Sequence, residues 1–500
     1  MSRINTNVES LIARRAITVN NASLNQALAR LSTGLRINNG RDDPAGLIAS
    51  ETLRSNIRAI DTAIGNATRA DTIVSVAEGG LDEVSGLLLD LENLIDQTSN
   101  QAGLTPAEIQ ANQVQIDSIL NSINRLAEAT AFGDKKLLNG NLAFTTSGVN
   151  INEPTGATLS HLDRVQINAA KIPNGSFRQI SVNVVAGSTY AQLSATPNGI
   201  DATDGARGET TSAITTLQIR GIYGADVLTF ASGTTTTAMA TAVNAATALT
   251  GVSAVVSGLG TAGSPQSLIL TSNTYGNDAL VSVSMLEAQT AAGVSLPGGQ
   301  SNVANGTNGT VTINGTNAVV SGLDASIRSG SLAVDLTLTT SFGGTTGSTT
   351  SFEITGGGGV FSISPTVGLS GQEALGIDEV STAKLGSTGT GFLATLGTGL
   401  TNDLASKNFT SAQRIVREAI SQVATLRGRL GGFQKDTLQT TINSLRIARE
   451  NVTAAESAIR DADFAVETSN LTRAQILVAS STQVLQLANA QPQNALALLG

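Results

Sequence analysis

The sequence predicts an α+β multidomain fold: long α-helices from both chain ends form a coiled-coil-like bundle, with one or more β-rich outer domains inserted between them. Of the 52 glycines, 10 fall in residues 1–140 and 4 in residues 401–500, which leaves 38 for the middle. Apolar residues at both ends recur three and four apart, the spacing of one helix face. The middle instead alternates short apolar runs with Gly, Asn and Ser clusters, which is typical of strands and turns.

The helical periodicity appears in four runs near the N-terminus and one long run near the C-terminus. The N-terminal runs are Leu24, Leu28, Leu31 and Leu35; Leu53, Ile57, Ile60 and Ile64; Leu81, Val84, Leu88, Leu91 and Ile95; and Ile116, Ile119, Ile123 and Leu126. The C-terminal run is Ile415, Ala419, Val423, Leu426, Leu430, Phe433, Leu438, Ile442, Leu445, Val452, Ile459 and Val466. This spacing approaches a heptad, so we expect coiled-coil packing.

Local signals mark where the helices begin and end. Asn38-Asn39-Gly40 predicts a turn, and Asp42 and Asp43 before Pro44 predict an N-cap and a new helix starting near the proline. Thr105-Pro106-Ala107-Glu108 predicts a capping box with proline at the first helical position. The helical pattern stops near Phe132-Gly133-Asp134, where β structure should begin.

Short alternating runs in the middle predict strands. They cover residues 164–169, 179–185, 216–220, 252–256 and 334–338. One Ala-rich run, 237–246, has helical spacing, so we expect a strand pair, a helix and more strands across 213–285.

Composition excludes several classes of protein. A net charge of −9 argues against nucleic-acid binding, which needs a dense positive surface. With no cysteine, disulfide frameworks and thiolate metal sites are impossible. No run of about 18 apolar residues and no secretory signal appear, so we expect no membrane span and an export route without a cleaved signal peptide.

The candidates for catalysis have simpler explanations. His161 is the only histidine, which excludes an H-E-x-x-H zinc site, and a surface or hairpin position is expected for it. Gly258–Gly263 matches G-x-G-x-x-G, but a second strand follows where a dinucleotide site needs a helix, so a hairpin loop is predicted. Gly356–Gly359 is interpreted as a flexible loop, and Asp42 with Asp43 as caps rather than an acid–base pair. We expect neither an enzyme nor a cofactor.

Motifs at both ends resemble flagellin, the subunit of the bacterial flagellar filament. They are Ile4–Val8, Arg30–Asn38, Asp42–Leu47 and Ser50–Arg54, then Ala455–Asp463 and Ala488–Leu496. Two further segments, around 216–252 and 375–386, resemble a variable-region module and the return segment before the C-terminal helix. The resemblance covers roughly residues 1–140 and 405–500.

The resemblance implies an architecture and a mode of action. It implies inner (D0-like) helical segments at 1–43 and 456–500, a D1-like helical hairpin with a β-hairpin at 44–180, variable β-rich outer domains at 181–400, and a D1-like helix at 401–455. It also implies unfolded export, an export chaperone on the C-terminal helix, and assembly with itself and with the junction and cap proteins of an extracellular flagellum. The implied assembly residues are Ile4, Asn5, Val8, Leu11, Leu24, Leu28, Leu31, Leu35, Arg36, Asp42, Asp43, Pro44, Ile459, Val466, Leu477, Val484, Leu487, Asn489, Pro492 and Leu496.

One segment departs from the family. Many flagellins carry a patch resembling L-Q-R-x-R-E-L that vertebrate innate receptors detect, whereas this chain has Leu88, Leu89, Asp90, Leu91, Glu92, Asn93 and Leu94. Both arginine positions are acidic, so weak or absent receptor recognition is predicted.

Three rival functions remain at this stage. A hook–filament junction protein shares the terminal motifs, although the density of matches favours the filament subunit. A flagellin with a metallopeptidase in its middle is disfavoured by the missing H-E-x-x-H motif. An adhesin role for the outer domains stays open as a secondary function.

Overall fold

The computed structural model describes residues 6–100, 103–148, 161–173, 176–197, 211, 214–257, 267–286, 294–295 and 301–497. The chain divides into two compact units. We call Met1–Ala70, Ser362–Gly371 and Lys435–Gly500 the end unit, and Asp71–Phe361 with Gln372–Gln434 the main unit. The domain boundaries predicted from the sequence stay predictions. Strand Arg178–Ala186 crosses the domain boundary predicted between residues 180 and 181.

Nine α-helices are present in the described ranges, and the longest lie towards the chain ends, as the periodicity predicted. Their bounds are α1 Val8–Thr33, α2 Pro44–Ser99, α3 Pro106–Ala129, α4 Thr236–Ala245, α5 Thr247–Thr250, α6 Thr340–Gly343, α7 Phe409–Gly432, α8 Thr440–Arg460 and α9 Phe464–Ala497. A π-helical segment, Phe433–Gln439, lies between α7 and α8.

The strands occupy the middle of the chain, again as predicted. Their bounds are β1 Ala131–Phe132, β2 Lys135–Lys136, β3 Phe144–Ser147, β4 Leu162–Ala170, β5 Arg178–Ala186, β6 Tyr190–Pro197, β7 Thr215–Arg220, β8 Ala225–Phe230, β9 Val252–Ser257, β10 Ser267–Tyr275, β11 Leu280–Met285, β12 Val294–Ser295, β13 Ser301–Asn305, β14 Thr310–Ile313, β15 Thr316–Asn317, β16 Val319–Ser321, β17 Asp324–Ser329, β18 Leu332–Leu338, β19 Thr349–Gly357, β20 Gly359–Ser362, β21 Gln372–Leu375, β22 Gly386–Ser387 and β23 Gly391–Phe392.

The start of α3 confirms the predicted capping box. The Thr105 hydroxyl accepts a hydrogen bond from the Glu108 backbone N–H, and the Glu108 carboxylate accepts one from the Thr105 backbone N–H at 2.7 Å. Pro106 occupies the first helical position. These bonds satisfy backbone donors that a helix otherwise leaves free at its N-terminus.

The main unit contains a helical core made by α3, α7 and residues 71–99 of α2. Apolar residues at the predicted three-and-four spacing are completely or almost completely buried in it, among them Leu81, Val84, Leu88, Leu91, Ile95, Ile116, Ile123, Ile415, Val423 and Leu430. The segment before α7 packs on the same core through Leu385 and Leu396. Gln113 fixes this segment, because its side chain donates to the Leu396 carbonyl and accepts from the Leu404 N–H.

Two sheets beside this core form a β-sandwich. The strand orders are β15-β14-β5-β19-β3 and β16-β17-β18-β4. Alternate residues of β18 are buried, and Val334 and Leu336 share one apolar core with Val182 and Phe352 from the other sheet. Period-two burial is what two facing sheets produce.

A second β module is inserted into the sandwich between β5 and β14. Its sheets have the orders β12-β6-β10-β9 and β13-β11-β7-β8. Met239 and Val243 of α4 pack on its core. This confirms the predicted strand pair, helix and further strands across 213–285. Gly258–Gly263 lies outside the described residues, but β9 and β10 on either side of it pair antiparallel as a hairpin requires.

Main-chain and asparagine hydrogen bonds join the inserted module to the sandwich. The Thr189 N–H donates to the Thr307 carbonyl at 2.9 Å, which places the entry and exit of the module side by side. Asn308 Oδ1 accepts from the backbone N–H of Asn277 in the module and of Gly322 in the sandwich. In the reverse direction, Asn277 Oδ1 accepts a hydrogen bond from the backbone N–H of Asn308.

Two interpretations from the sequence are wrong. Gly356 and Gly357 belong to β19 and pair with β3 rather than forming a flexible loop. Gly357 has φ +84°, and a Cβ there would lie 2.3 Å from the Ala143 carbonyl oxygen, so glycine allows the close approach of the strands. Asp42 is not a helix cap. Asp43 alone caps α2, by accepting from the Gly46 N–H at 2.9 Å.

Candidate functional site

The terminal helices α1 and α9 pack against each other in antiparallel directions within the end unit. Asn7 donates to the Ala488 carbonyl, Asn20 to the Leu477 carbonyl, and Arg30 to the Glu467 carboxylate. As the residue number rises along α1, its partner's number falls along α9. The chain ends therefore pair with each other, as the sequence predicted.

Small residues fill the contact between these two helices. Among the described side chains of α1 and α9, the buried apolar ones are alanines: Ala13, Ala27, Ala474 and Ala488, each 5 % exposed or less. An alanine seam allows two helices to approach closely but buries little apolar area. The periodic leucines of α1 are therefore not the core of this pair.

Large apolar side chains, all aliphatic except that of Phe464, instead point to solvent along both helices. The exposed ones are Val8, Leu11, Ile12, Val19 and Leu28 on α1, and Phe464, Val466, Ile476, Leu477, Val484 and Leu487 on α9. Their exposed fractions run from 44 % for Leu477 to 67 % for Phe464. Exposed large apolar side chains in this number along two paired helices indicate an interaction surface.

Fifteen of the twenty predicted assembly residues divide into three groups in the structure. Those exposed on this surface are Val8, Leu11, Leu28, Val466, Leu477, Val484 and Leu487. Those half-buried within the end unit are Leu24, Leu31, Leu35 and Ile459. Ile4 and Asn5 lie outside the described residues, and Pro492 and Leu496 lie in α9 with side chains that are not described. Sequence reasoning missed Ile12, Val19, Phe464 and Ile476, which the same helical periodicity could have found.

The polar predicted residues make contacts within the chain. Arg36 donates from Nε and Nη2 to the Ile459 carbonyl at 3.2 and 2.5 Å, next to an antiparallel bridge between Leu35 and Asp461. Asn489 accepts from the Ser10 hydroxyl at 2.8 Å. The Arg36 bonds tie the two chain segments together where α1 and α8 end, and the Ser10–Asn489 bond joins the start of α1 to α9.

The turn before α2 is held by Asp42. Its Oδ2 accepts from the backbone N–H groups of Asn38 and Asn39 at 3.1 and 3.0 Å. The bond from Asn39, followed by that from Asn38, holds the pKa of the Asp42 carboxyl below its usual value. With Asp43 as the cap and Pro44 at the first turn, this segment fixes the start of α2.

The segment that aligns with the receptor patch has a mixed environment. Leu88 is fully buried in the helical core, Leu89 is half exposed, Asp90 is exposed and Leu94 is half-buried. Glu92 accepts from Arg417 Nε of α7 at 2.8 Å, and this bond raises the pKa of Arg417. Glu92 is thus engaged within the chain.

Neither a metal-binding cluster nor a membrane-spanning helix is found in the described ranges. No three residues among His, Cys, Asp and Glu come close enough there to hold a metal ion. The ring of His161 stacks near Phe342 at 4.9 Å and its Nδ1 lies 3.2 Å from the Thr350 hydroxyl. None of the helices described is both long and apolar enough to cross a bilayer.

Comparisons with known proteins match both ends and the full length. Residues 4–143 match the bacterial flagellin N-terminal helical region, and residues 414–499 the bacterial flagellin C-terminal helical region. Flagellin of Salmonella rubislaw is 30 % identical over 99 % of both chains. Flagellin of Salmonella typhimurium strain LT2 is 29 % identical over the same shares.

Among solved structures, FlgL of Xanthomonas campestris is 14 % identical over 80 % of this chain and 98 % of its own, with a TM-score of 0.27. The full-length identity to known flagellins and the two matching terminal regions agree with a β-rich middle between helical ends. The chain therefore belongs to the bacterial flagellin family, the structural subunits of the flagellar filament.

Proposed function

We propose that this subunit polymerises through the exposed aliphatic surface of α1 and α9, which packs against the same helices of neighbouring copies. The observation that carries the proposal is the outward position of the aliphatic residues while alanines fill the seam between the helices. Burying one such side chain contributes about 1.5–3 kcal/mol, so several per copy can drive assembly. Contacts of this kind are heterologous and do not close, so they generate an open helical polymer.

Single substitutions on this surface test the proposal without disturbing the seam. Ile476→Asn and Leu487→Gln should each raise the critical concentration for seeded filament growth about tenfold or more, because each removes apolar area that neighbours would bury. Gln486→Asn, at an exposed polar position beside Leu487, is the matched control and should grow like the parent. Growth is measured by sedimentation and electron microscopy with short filament fragments as seeds.

Deleting residues 456–500 gives a second test of the same proposal. Seeded filaments should form only from the full chain, because the deletion removes α9 and half of the exposed surface. Filaments from the shortened chain would place the assembly contacts elsewhere.

Folding of the chain ends is proposed to couple to assembly. The alanine seam buries too little apolar area to hold two long helices together against their conformational entropy, so neighbouring copies should supply the rest. Limited proteolysis should cut the ends of the free subunit quickly and spare them in filaments. Equal resistance in both states would refute the coupling.

Export partners follow from the same exposed surface. An export chaperone is proposed to cover the aliphatic residues of α9 until the unfolded chain is secreted, with junction and cap proteins meeting the same ends at the filament. Ile476→Asn should weaken co-purification with the chaperone, whereas Gln486→Asn should not.

Recognition by vertebrate innate receptors is proposed to be weak. Asp90 and Glu92 replace the arginines of the family pattern, each change costing about 2 kcal/mol or more at a desolvated interface, and Glu92 is bound to Arg417. Purified subunit should give little signal in a receptor reporter assay, and restoring Arg at both positions should raise it. Strong signalling by the parent chain would overturn this proposal.

A further inference from the structure

The seam between α1 and α9 repeats every seven residues. On α1, Ala13 and Ala27 flank Asn20 at this spacing. On α9 the repeat runs through Glu467, Ala474, Ser481 and Ala488. A heptad of small residues fits its partner equally well when one helix slides by seven residues, about 10 Å along the axis. Small-residue packing alone therefore does not define which residues face each other.

One position of this repeat breaks the uniformity. Glu467 is 6 % exposed and is the one charged residue buried as a whole in the part of the chain that the structure describes. Its Oε1 accepts from Arg30 Nη1 at 3.0 Å, and its Oε2 lies 3.5 Å from the Asn470 amide. A buried carboxylate needs such partners, because an unpaired charge in this position is strongly unfavourable.

A slide of seven residues would separate this pair. Ala474 would move towards the position of Glu467 opposite Arg30, and Glu467 would lose its cation. The contact of Asn20 with the Leu477 carbonyl could be replaced by a backbone carbonyl one heptad away, whereas its contact with the Ser481 hydroxyl would be lost, because alanine stands at 474 and 488. Of the contacts that the slide would break, the charged pair is the costliest to lose, because a buried carboxylate would be left without its cation. Main-chain bonds from Arg36 to Arg460 and from Ala462 to Gly34 oppose the slide as well.

We propose that the Arg30–Glu467 pair sets the register of α1 against α9. Buried polar pairs of this kind specify alignment in coiled coils more than they stabilise them. The register decides which aliphatic residues of the two helices lie side by side, and so fixes the surface that a neighbouring copy meets. This inference rests on the proposed assembly through that surface.

The chain has no cysteine, so introduced pairs report the register directly. Asn20→Cys with Ser481→Cys reports the native alignment, since these side chains touch at 2.6 Å. Asn20→Cys with Ala488→Cys reports the alignment shifted by seven residues. Each pair is combined with Arg30→Glu, Glu467→Arg, both reversals together, or Arg30→Met with Glu467→Met. Disulfide yield after mild oxidation is measured in the free subunit and in filaments.

With Arg30 and Glu467 unchanged, the disulfide yield of Asn20→Cys with Ser481→Cys should be at least tenfold higher than that of Asn20→Cys with Ala488→Cys. We call the quotient of these two yields the native ratio. Either single reversal should lower this ratio at least tenfold, and the double reversal should restore it. The double Met variant should still pair its helices but give a ratio at least tenfold below that of the parent, which a merely stabilising ion pair would not produce. Arg449→Glu, which breaks an exposed ion pair with Asp61, is the control and should keep the native ratio.

Two results would overturn the register proposal: single reversals that keep the native ratio, or a double Met variant that keeps it. A failure of the chain to assemble is distinguished from a failure of the register proposal. A parent chain that forms no seeded filaments, yet shows the native ratio and loses it on charge reversal, would refute assembly through the terminal helices and support the register function.

Discussion

At the scale of single residues, side-chain size and charge decide what each terminal helix contacts. Alanines face the partner helix, aliphatic residues face outward, and one buried carboxylate distinguishes between alignments. Single side chains also determine the start of α3, where Thr105 and Glu108 supply hydrogen-bond acceptors to backbone N–H groups of the first helical turn. Two hydrogen bonds from Thr105, first that of its backbone N–H and then that of its hydroxyl, lower the pKa of Glu108.

This lowered pKa predicts a pH-dependent contribution from Glu108. A carboxyl whose pKa falls on folding stabilises the fold above its ordinary pKa near 4.5, and the contribution is lost as the pH drops through the lowered value. Glu108→Gln should therefore weaken the main unit against urea at pH 7, with the difference shrinking as the pH falls through the lowered pKa of Glu108. Glu83→Gln, an exposed change on α2, is the matched control. Far-UV circular dichroism follows both.

Removing the other half of the capping box should be measurable too. Thr105→Ala should cost about 0.5–2 kcal/mol of unfolding free energy, because a backbone N–H at the start of α3 loses its acceptor. Urea unfolding at pH 7 gives the value, and an unchanged midpoint would contradict the capping role.

At the scale of elements, two adjacent glycines in α2 have different environments. A Cβ on Gly79 would meet no atom within 4 Å, whereas a Cβ on Gly80 would lie 2.6 Å from the Thr130 hydroxyl and 3.0 Å from Leu138 Cδ1. Thr130 is β-branched, and its hydroxyl is bonded to the Leu126 carbonyl, so it yields little. α2 therefore needs a glycine at one of these positions only.

The pair gives a matched prediction for helix stability. Gly79→Ala should stabilise the main unit by about 0.5–1 kcal/mol, because alanine restricts the unfolded chain and favours the helix. Gly80→Ala should destabilise it by about 1–3 kcal/mol through crowding against Thr130. Urea unfolding of both variants tests this, and equal effects at the two sites would contradict the packing at Gly80.

The sequence was most informative where structure depends on near neighbours. Periodicity predicted the helices and most strands, and the Thr105–Glu108 box follows from four consecutive residues. Prediction from the sequence failed where contacts between distant residues determine the local structure. Gly356 and Gly357 read as a loop because nothing nearby shows that β3 approaches them, and only the turn geometry shows that Asp43, not Asp42, faces α2. The outward position of Leu11 and Leu28 could not be inferred, because periodicity gives a face but not its partner.

At the scale of the whole chain, the middle is a nested insertion. The sandwich is built from 144–147, 162–186 and 310–357, and the second module, 190–305, interrupts it. Composition predicted β structure here, but not that β18 pairs with the distant β4, aligning Val334 with Ile167. Strand pairing across such separations leaves no local signature in the sequence. Each module has its own apolar core.

Nesting predicts that the inserted module can be removed. Deleting residues 190–306 and joining Thr189 to Thr307 with a linker of about four Gly and Ser residues should leave the critical concentration for filament growth within about twofold, because the ends already touch. Deleting 310–338 instead, which removes β14 to β18 from the sandwich core, should abolish folding of that region. Proteolysis and seeded growth distinguish the two deletions.

The side-by-side entry and exit of the inserted module also has a mechanical consequence. If the module faces the solvent in a turning filament, viscous drag pulls on it as a body, and the reaction force enters through two neighbouring anchor points around Thr189 and Thr307. No tension then runs end to end through its strands. The reciprocal Asn277 and Asn308 contacts take the load at the joint, so a module of different size or sequence could be carried there without being stretched by the flow.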